Sequence, residues 1–126
     1  MARRPIATDS APGAIGTYSQ AIEADGTIYL SGQIPLDPVS MELVTGDIRE
    51  EIRRVFDNLS AVADAAGASL DDAVKLTVYL VDLGDFGAVN EVMATFFSEP
   101  YPARAAIQVA ALPKGARVEV DAILRP

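Results

Sequence analysis

Apolar and polar residues follow two distinct periods along this chain, and the changes of period mark its elements. Ile48, Ile52, Val55, Phe56, Leu59, Val62 and Ala66 recur at helical spacing, which predicts an amphipathic helix from Ile48 to Ala66. Asp47 followed by Glu50 has the spacing of a capping box, and Gly67 is a natural C-terminal stop. From Ala73 to Val81 the period becomes two. Val74, Leu76, Val78 and Leu80 take one face, and Lys75, Thr77 and Tyr79 the other, as in a strand. Asp85 then caps a second helix whose stripe is Phe86, Val89, Met93, Phe96 and Phe97, ending before Pro100.

Two further stretches read as hairpins. Asp25-Gly26 lies between Ala21–Ala24 and Thr27–Ser31, and both turn residues tolerate positive φ. With Ala24 opposite Thr27, this pairing puts Tyr18, Gln20, Tyr29, Ser31 and Gln33 on one face. Gly32, Pro35 and Pro38 then break the strand into a loop. Near the C-terminus, Arg104, Ala106 and Gln108 alternate with Ala105, Ile107 and Val109, while Arg117, Glu119 and Asp121 alternate with Val118, Val120 and Ala122. A loop centred on Leu112-Pro113 would join them as a hairpin, with Ala106 opposite Glu119 and Arg104 opposite Asp121. Arg104 and Glu119 would then share a face. The two helices cover one face of the sheet. The other, carrying Thr77, Tyr79, Arg104, Gln108 and Glu119, must meet water or another subunit. The expected architecture is an α+β two-layer fold in a single domain, residues 1–126, whose uncovered sheet face takes part in assembly.

Composition narrows the chemistry. Half of the 126 residues are hydrophobic, and the mean hydropathy is +0.22. That is rich for so small a domain and favours apolar area covered by other subunits. Ten basic residues against eighteen acidic ones give a net charge of −8 and no basic stripe, so nucleic-acid binding is disfavoured. The absence of cysteine and histidine removes disulfides, thiolate nucleophiles, the Ser-His triad and most zinc chemistry. No apolar run has the length of a membrane span, and the N-terminal residues lack the apolar core of a signal peptide, so the expected location is cytoplasmic.

What remains for chemistry is a guanidinium and a carboxylate. The plain reading of Arg104 and Glu119 is a cross-strand ion pair on a solvated face. The sharper one is that Arg104 clamps a substrate carboxylate with two prongs while Glu119 orients a water. Ser31-Gly32 is either a strand-end turn or a place where backbone approaches a ligand and the serine donates to it. Tyr18 reads as packing with a phenol able to reach a ligand edge, and Asn90 as a solvated helix-edge residue or a contact near the site. Glu50 and Glu51 with Arg53 and Arg54 read as a solvated helix face. Gly13-Ala14-Ile15-Gly16 lacks the strand–helix context of a dinucleotide site.

In order along the chain, Ala14–Gln20, Ser31–Pro35, Val74–Leu83 and Pro102–Asp121 resemble the RidA (YjgF) family of reactive-intermediate deaminases. The Pro-Ala-Arg segment with the downstream Leu-Pro-Lys and Val-Glu-Val is the most specific stretch. The resemblance implies a chorismate-mutase-like fold with a mixed sheet and two helices on one face. It also implies a homotrimer with a central barrel and clefts between subunits. The implied reaction is hydrolysis of 2-imino acids or their enamine tautomers, such as 2-iminopropanoate and 2-iminobutanoate, to 2-keto acids and ammonia, with no metal and no cofactor. Arg104 would bind the substrate carboxylate, Glu119 would position the water, and Tyr18, Ser31, Gly32 and Asn90 would line the cleft. Many family members have a cysteine where this chain has Ala106, a proline at the place of Thr17 and an arginine at that of Ala111. The segment before Pro102 is also shorter than in some. These departures bear on substrate preference. The alternatives are a non-catalytic trimer, either binding small carboxylates or acting as a chaperone-like holdase, and an endoribonuclease, which the acidic composition disfavours.

Overall fold

The computed structural model describes residues 2–126. Six strands form one mixed sheet: β1 (Arg4–Ile6), β2 (Ala21–Ala24), β3 (Thr27–Gln33), β4 (Ala73–Leu80), β5 (Ala103–Gln108) and β6 (Val118–Leu124). Their order across the sheet is β1-β2-β3-β6-β4-β5. Helices α1 (Ile48–Ala65) and α2 (Phe86–Phe96) supply the second layer. The α+β architecture with two helices is the expected one. Among the described residues no helix is long and apolar enough to cross a membrane.

Local chemistry places the elements. Asp25 (φ 54°) and Gly26 (φ 77°) turn β2 into β3 with Ala24 opposite Thr27, as expected. Asp47 Oδ1 accepts from Arg49 N at 2.9 Å to start α1, but Glu50 does not complete a capping box and pairs instead with Arg53. At the other end Gly67 (φ 78°) lets Gly67 N reach Asp64 O (2.9 Å) and Ala68 N reach Ala63 O (3.0 Å), a Schellman closure. The start of α2 differs from expectation. Asp85 makes no side-chain cap bond; Asp82 instead accepts from Gly84 N (2.8 Å) and caps the 3₁₀ turn Leu83–Asp85 that leads into the helix.

The core lies between helices and sheet. Ile52, Val55, Phe56, Leu59 and Val62 of α1 join Leu76, Val78 and Leu80 of β4 and Val118, Val120 and Ala122 of β6 in one cluster. The Phe56 ring meets Phe96 (centroids 5.4 Å apart) and Phe97 (5.7 Å, nearly perpendicular), which ties α1 to α2. Val74, expected on the core face, is 48% exposed. The β4–β6 register steps from Ala73–Leu124 to Lys75–Ile123 and leaves Val74 in a bulge.

Strand order corrects the C-terminal reading. The segments around Arg104 and Glu119 are not a hairpin, because β4 lies between them, parallel to β5 and antiparallel to β6. Leu76 aligns with Arg104 and Val78 with Ala106, so Arg104 stands on the helix-covered face. Tyr79 aligns with Glu119 and Thr77 with Asp121, so Glu119 stands on the open face. Alternation within β5 and β6 is as expected; the phase between them is inverted.

Helix α1 also buries two polar residues that read as solvated or went unnoticed. Glu51, Val55, Asn58 and Val62 share a stripe facing inward. Asn58 Nδ2 donates to Leu36 O (3.0 Å) and accepts at Oδ1 from Arg54 Nε (3.1 Å), which holds the loop after β3 against the helix. The Glu51 side chain is 5% exposed and pairs with Arg117, whose Nη2 also donates to Gly46 O (2.8 Å). This ion pair joins the start of α1 to the residue before β6. Arg117→Met strands the Glu51 carboxylate without its counter-ion. We expect a loss of about 2–3 kcal/mol in urea unfolding, at the low end because the arginine is 44% exposed. The double variant E51M/R117M should recover most of that loss at the same protein concentration.

Candidate functional site

The six residues singled out in the sequence fall into two groups on opposite sides of the sheet. On the open side Glu119, Gly32, Ser31 and Tyr18 line one cavity of about 400 Å³. On the helix side Arg104 and Asn90 line another of about 440 Å³.

The first group is built around a bulge. Leu30 pairs with Ala122 and Gln33 with Val120, so Ser31 and Gly32 together oppose Asp121 alone. The bulge turns Gln33 into the buried layer, which corrects its expected place beside Tyr29. It also brings the backbone of Gly32 under the Glu119 carboxylate. A Cβ at position 32 would lie 2.9 Å from Glu119 Cδ and closer still to Oε2, so only glycine lets the carboxylate occupy this place. Ser31 is anchored rather than free: its Oγ donates to Ser19 O (2.6 Å) and its N–H to Gln20 O (3.0 Å). Gln20 is buried. Its side chain donates to Pro12 O (2.8 Å) and accepts from Thr8 N (2.7 Å), pinning the segment that forms one wall. Tyr18 is half exposed, and its hydroxyl accepts from Ile15 N at 3.4 Å. Ile15, Ile34 and Pro113, which carried no signal as site residues, complete an apolar rim.

Glu119 is half-buried and, among the described residues, takes no hydrogen bond and no ion pair. Burial pushes its carboxyl above the ordinary glutamate value, and the like charge of Asp121 adds to the rise. Asp121 in turn accepts from the Tyr79 hydroxyl at 3.1 Å. A carboxylate raised in this way and open to a cavity has the character of a general base.

The second group has the complementary character. Arg104 Nη1 donates to Asn90 Oδ1 at 2.6 Å, and its guanidinium carbon lies 4.7 Å from the centre of the Phe86 ring. Phe86 and Asn90 are one turn apart on α2, so a single helix face supplies a flat support and a polar anchor. Met93, Tyr101 and Pro102 form the apolar surround. Among the described residues no carboxylate lies within ion-pair distance of Arg104, so the cross-strand pair with Glu119 is excluded. The guanidinium keeps donors to spare for an incoming anion. Phe86 read as a core residue in the sequence. Its spacing to Asn90 was the available signal that both serve the arginine.

The comparisons with known proteins agree with this fold. The family model described as Endoribonuclease L-PSP matches residues 8–125. A relative named 2-iminobutanoate/2-iminopropanoate deaminase from Mus musculus is 53% identical over 121 residues, covering 96% of this chain and 90% of its own. Protein DfrA of Myxococcus xanthus is 52% identical over 125 residues, covering 98% and 95%. The crystal structure of RidA from Psychrobacter superposes with a TM-score of 0.94 at 53% identity, covering 98% of this chain and 99% of the other. E. coli TdcF with bound serine superposes at 0.92 with 40% identity, covering 98% of both. A match over nearly the full length in sequence and in fold makes the chain a member of the RidA (YjgF) family.

Proposed function

We propose that the chain, acting as one domain, is a hydrolytic deaminase that converts 2-imino acids to 2-keto acids and ammonia. In this reading each site is assembled from two copies of the chain. The observation that carries it is a pair of charges unsatisfied among the described residues: Arg104 without an acid and Glu119 without a donor, each facing a cavity, on opposite faces of one sheet. Within one chain they cannot grip the same small molecule. A second copy docked on the open face would bring its own arginine cavity to the Glu119 cavity. That face carries exposed Tyr29 and Ile107 beside Thr77 and Tyr79, apolar enough to be covered by another subunit. We propose a homotrimer whose sheets enclose a central barrel. The name of the mouse relative and the serine bound to TdcF support a small amino-acid-like substrate.

The chemistry asked of the residues is modest. Arg104, held flat by Phe86 and Asn90, binds the substrate carboxylate with two parallel N–H···O bonds. Glu119 of the neighbouring copy takes a proton from water as its oxygen bonds to the electrophilic C2 and the C=N π electrons move to nitrogen. Glu119 returns that proton to the nitrogen, which completes the carbinolamine; the carbinolamine's hydroxyl proton then passes by way of Glu119 to the nitrogen as the C–N bond breaks, releasing ammonia and leaving the C=O of the keto acid. General base catalysis of this kind contributes roughly 10²–10⁴-fold. Tyr18 and the apolar rim limit water around the reacting carbon. Ala106 packs against the core below Arg104, so no side chain there enters the reaction.

Four outcomes are expected. Imine generated by an amino-acid oxidase and trapped with semicarbazide should give less semicarbazone and faster keto-acid release when the protein is present. Arg104→Lys should abolish this while the oligomer, followed by light scattering, is unchanged; ligand-induced stabilisation without turnover would instead identify a binder. Co-expression of Arg104→Lys and Glu119→Gln chains should restore about a quarter of wild-type activity, since half the sites receive an intact arginine and half of those an intact glutamate. Two-chain sites predict this recovery, and a site within one chain predicts none. Finally, kcat/KM should fall on the acid side as Glu119 is protonated, with a midpoint above the ~4.3 of an ordinary glutamate.

A further inference from the structure

Next to Glu119 on the open face is a second carboxylate that the reaction as written does not use. Asp121 follows Glu119 by two residues on β6, so both side chains leave the same face of the strand. Tyr79, directly opposite Glu119 on β4, reaches past it, and its hydroxyl donates to Asp121 Oδ2 at 3.1 Å. Thr77, opposite Asp121, occupies the neighbouring position on the same strand. Asp121 is therefore partly buried and held in place by a named donor, one strand repeat from the base.

We propose that Asp121, clamped by the Tyr79 hydroxyl, is a positioning residue that makes Glu119 a stronger base than the cleft alone would. The inference rests on the reading of Glu119 as the base, but its physical content is separate. A fixed like charge close by, in a partly dehydrated setting, favours the protonated form of its neighbour. The fixing matters, because an untethered aspartate would swing toward water and lose most of its effect. The other groups of the same chain facing this point are Gly32 of β3, which has no side chain, and Thr77 and Tyr79 of β4, with Lys75 and Tyr29 farther along the same face; Arg104 of the neighbouring copy acts on Glu119 alike in wild type and in both variants, so it cancels from their difference. No cation is paired with Asp121 among the described residues, so its charge is not cancelled before Glu119 feels it. The raised pKa of Glu119, with burial as the larger cause and Asp121 as the smaller, agrees with the geometry. Tyr79 shows the reciprocal effect: burial first, then its bond to Asp121, hold its phenol above the ordinary tyrosine value.

The experiment is a carboxyl-carbon NMR titration of Glu119 in glutamate-labelled protein, run on wild type, Asp121→Asn and Tyr79→Phe, beside the pH profile of kcat/KM. Asp121→Asn should lower the Glu119 midpoint by roughly half a unit or more while leaving it above that of a free glutamate, because burial remains. Tyr79→Phe should move it in the same direction by less, since Asp121 stays but is no longer held. The acid limb of kcat/KM should follow the same order. An unmoved Glu119 resonance in a folded Asp121→Asn protein overturns the proposal, whatever its activity. Midpoints that shift as expected in a protein without imine hydrolysis would leave the electrostatic coupling standing and overturn the assignment of the reaction instead. A variant that melts early is replaced by Asp121→Ser, which removes the charge in a smaller side chain and is held to the same shift.

Discussion

The pairing of β4 with two neighbours decides the direction of every side chain that matters. Its antiparallel register with β6 sets Tyr79 beside Glu119, and its parallel register with β5 sets Leu76 beside Arg104. Since successive residues of a strand face opposite ways, these two alignments send the carboxylate and the guanidinium through opposite faces of the sheet. A slip of one residue in either pairing would reverse that. In the β4–β6 pairing it would also drive Leu76, Val78 and Leu80, or Val118 and Val120, out of the core, which is the force that fixes that register.

On this frame each charge is kept without a counter-ion among the described residues. Arg104 is given a ring to lie against and one amide oxygen, enough to orient it and too little to neutralise it. Glu119 is given a glycine below and an aspartate beside it, neither of which stabilises its charge. A carboxyl whose pKa is higher folded than unfolded binds its proton more tightly in the folded state. Its contribution to stability is therefore present at low pH and is lost as pH rises through the folded value. At neutral pH the ionised Glu119 works against folding. A fold that keeps such a group has a use for it, which is the physical sense in which the site can be recognised.

The contrast with Glu51 is instructive. That carboxylate is more deeply buried than Glu119, yet it is met by Arg117, and Arg117 is further held by Gly46 O. One acid is satisfied and links helix to sheet. The other is left unsatisfied at the edge of a cavity. Burial alone does not separate the two; the partner does.

Much of this was legible in the chain itself. The stripe from Ile48 to Ala66, the turn at Asp25-Gly26 and the alternation from Lys75 to Leu80 all report local geometry, and each appeared where its spacing placed it; only Val74, displaced by a bulge, did not. Arg104 and Glu119 could be singled out by residue type, because without histidine or cysteine few other side chains offer such chemistry, but not the faces they take. Tertiary structure alone decided that β4 separates β5 from β6, that a bulge at Ser31-Gly32 turns Gln33 inward, and that Glu51 finds Arg117 across the fold. The reason is physical. Periodicity states which residues of one strand agree in direction, but the relative phase of two strands is set by hydrogen bonds to whatever lies between them, and that neighbour can come from anywhere in the chain.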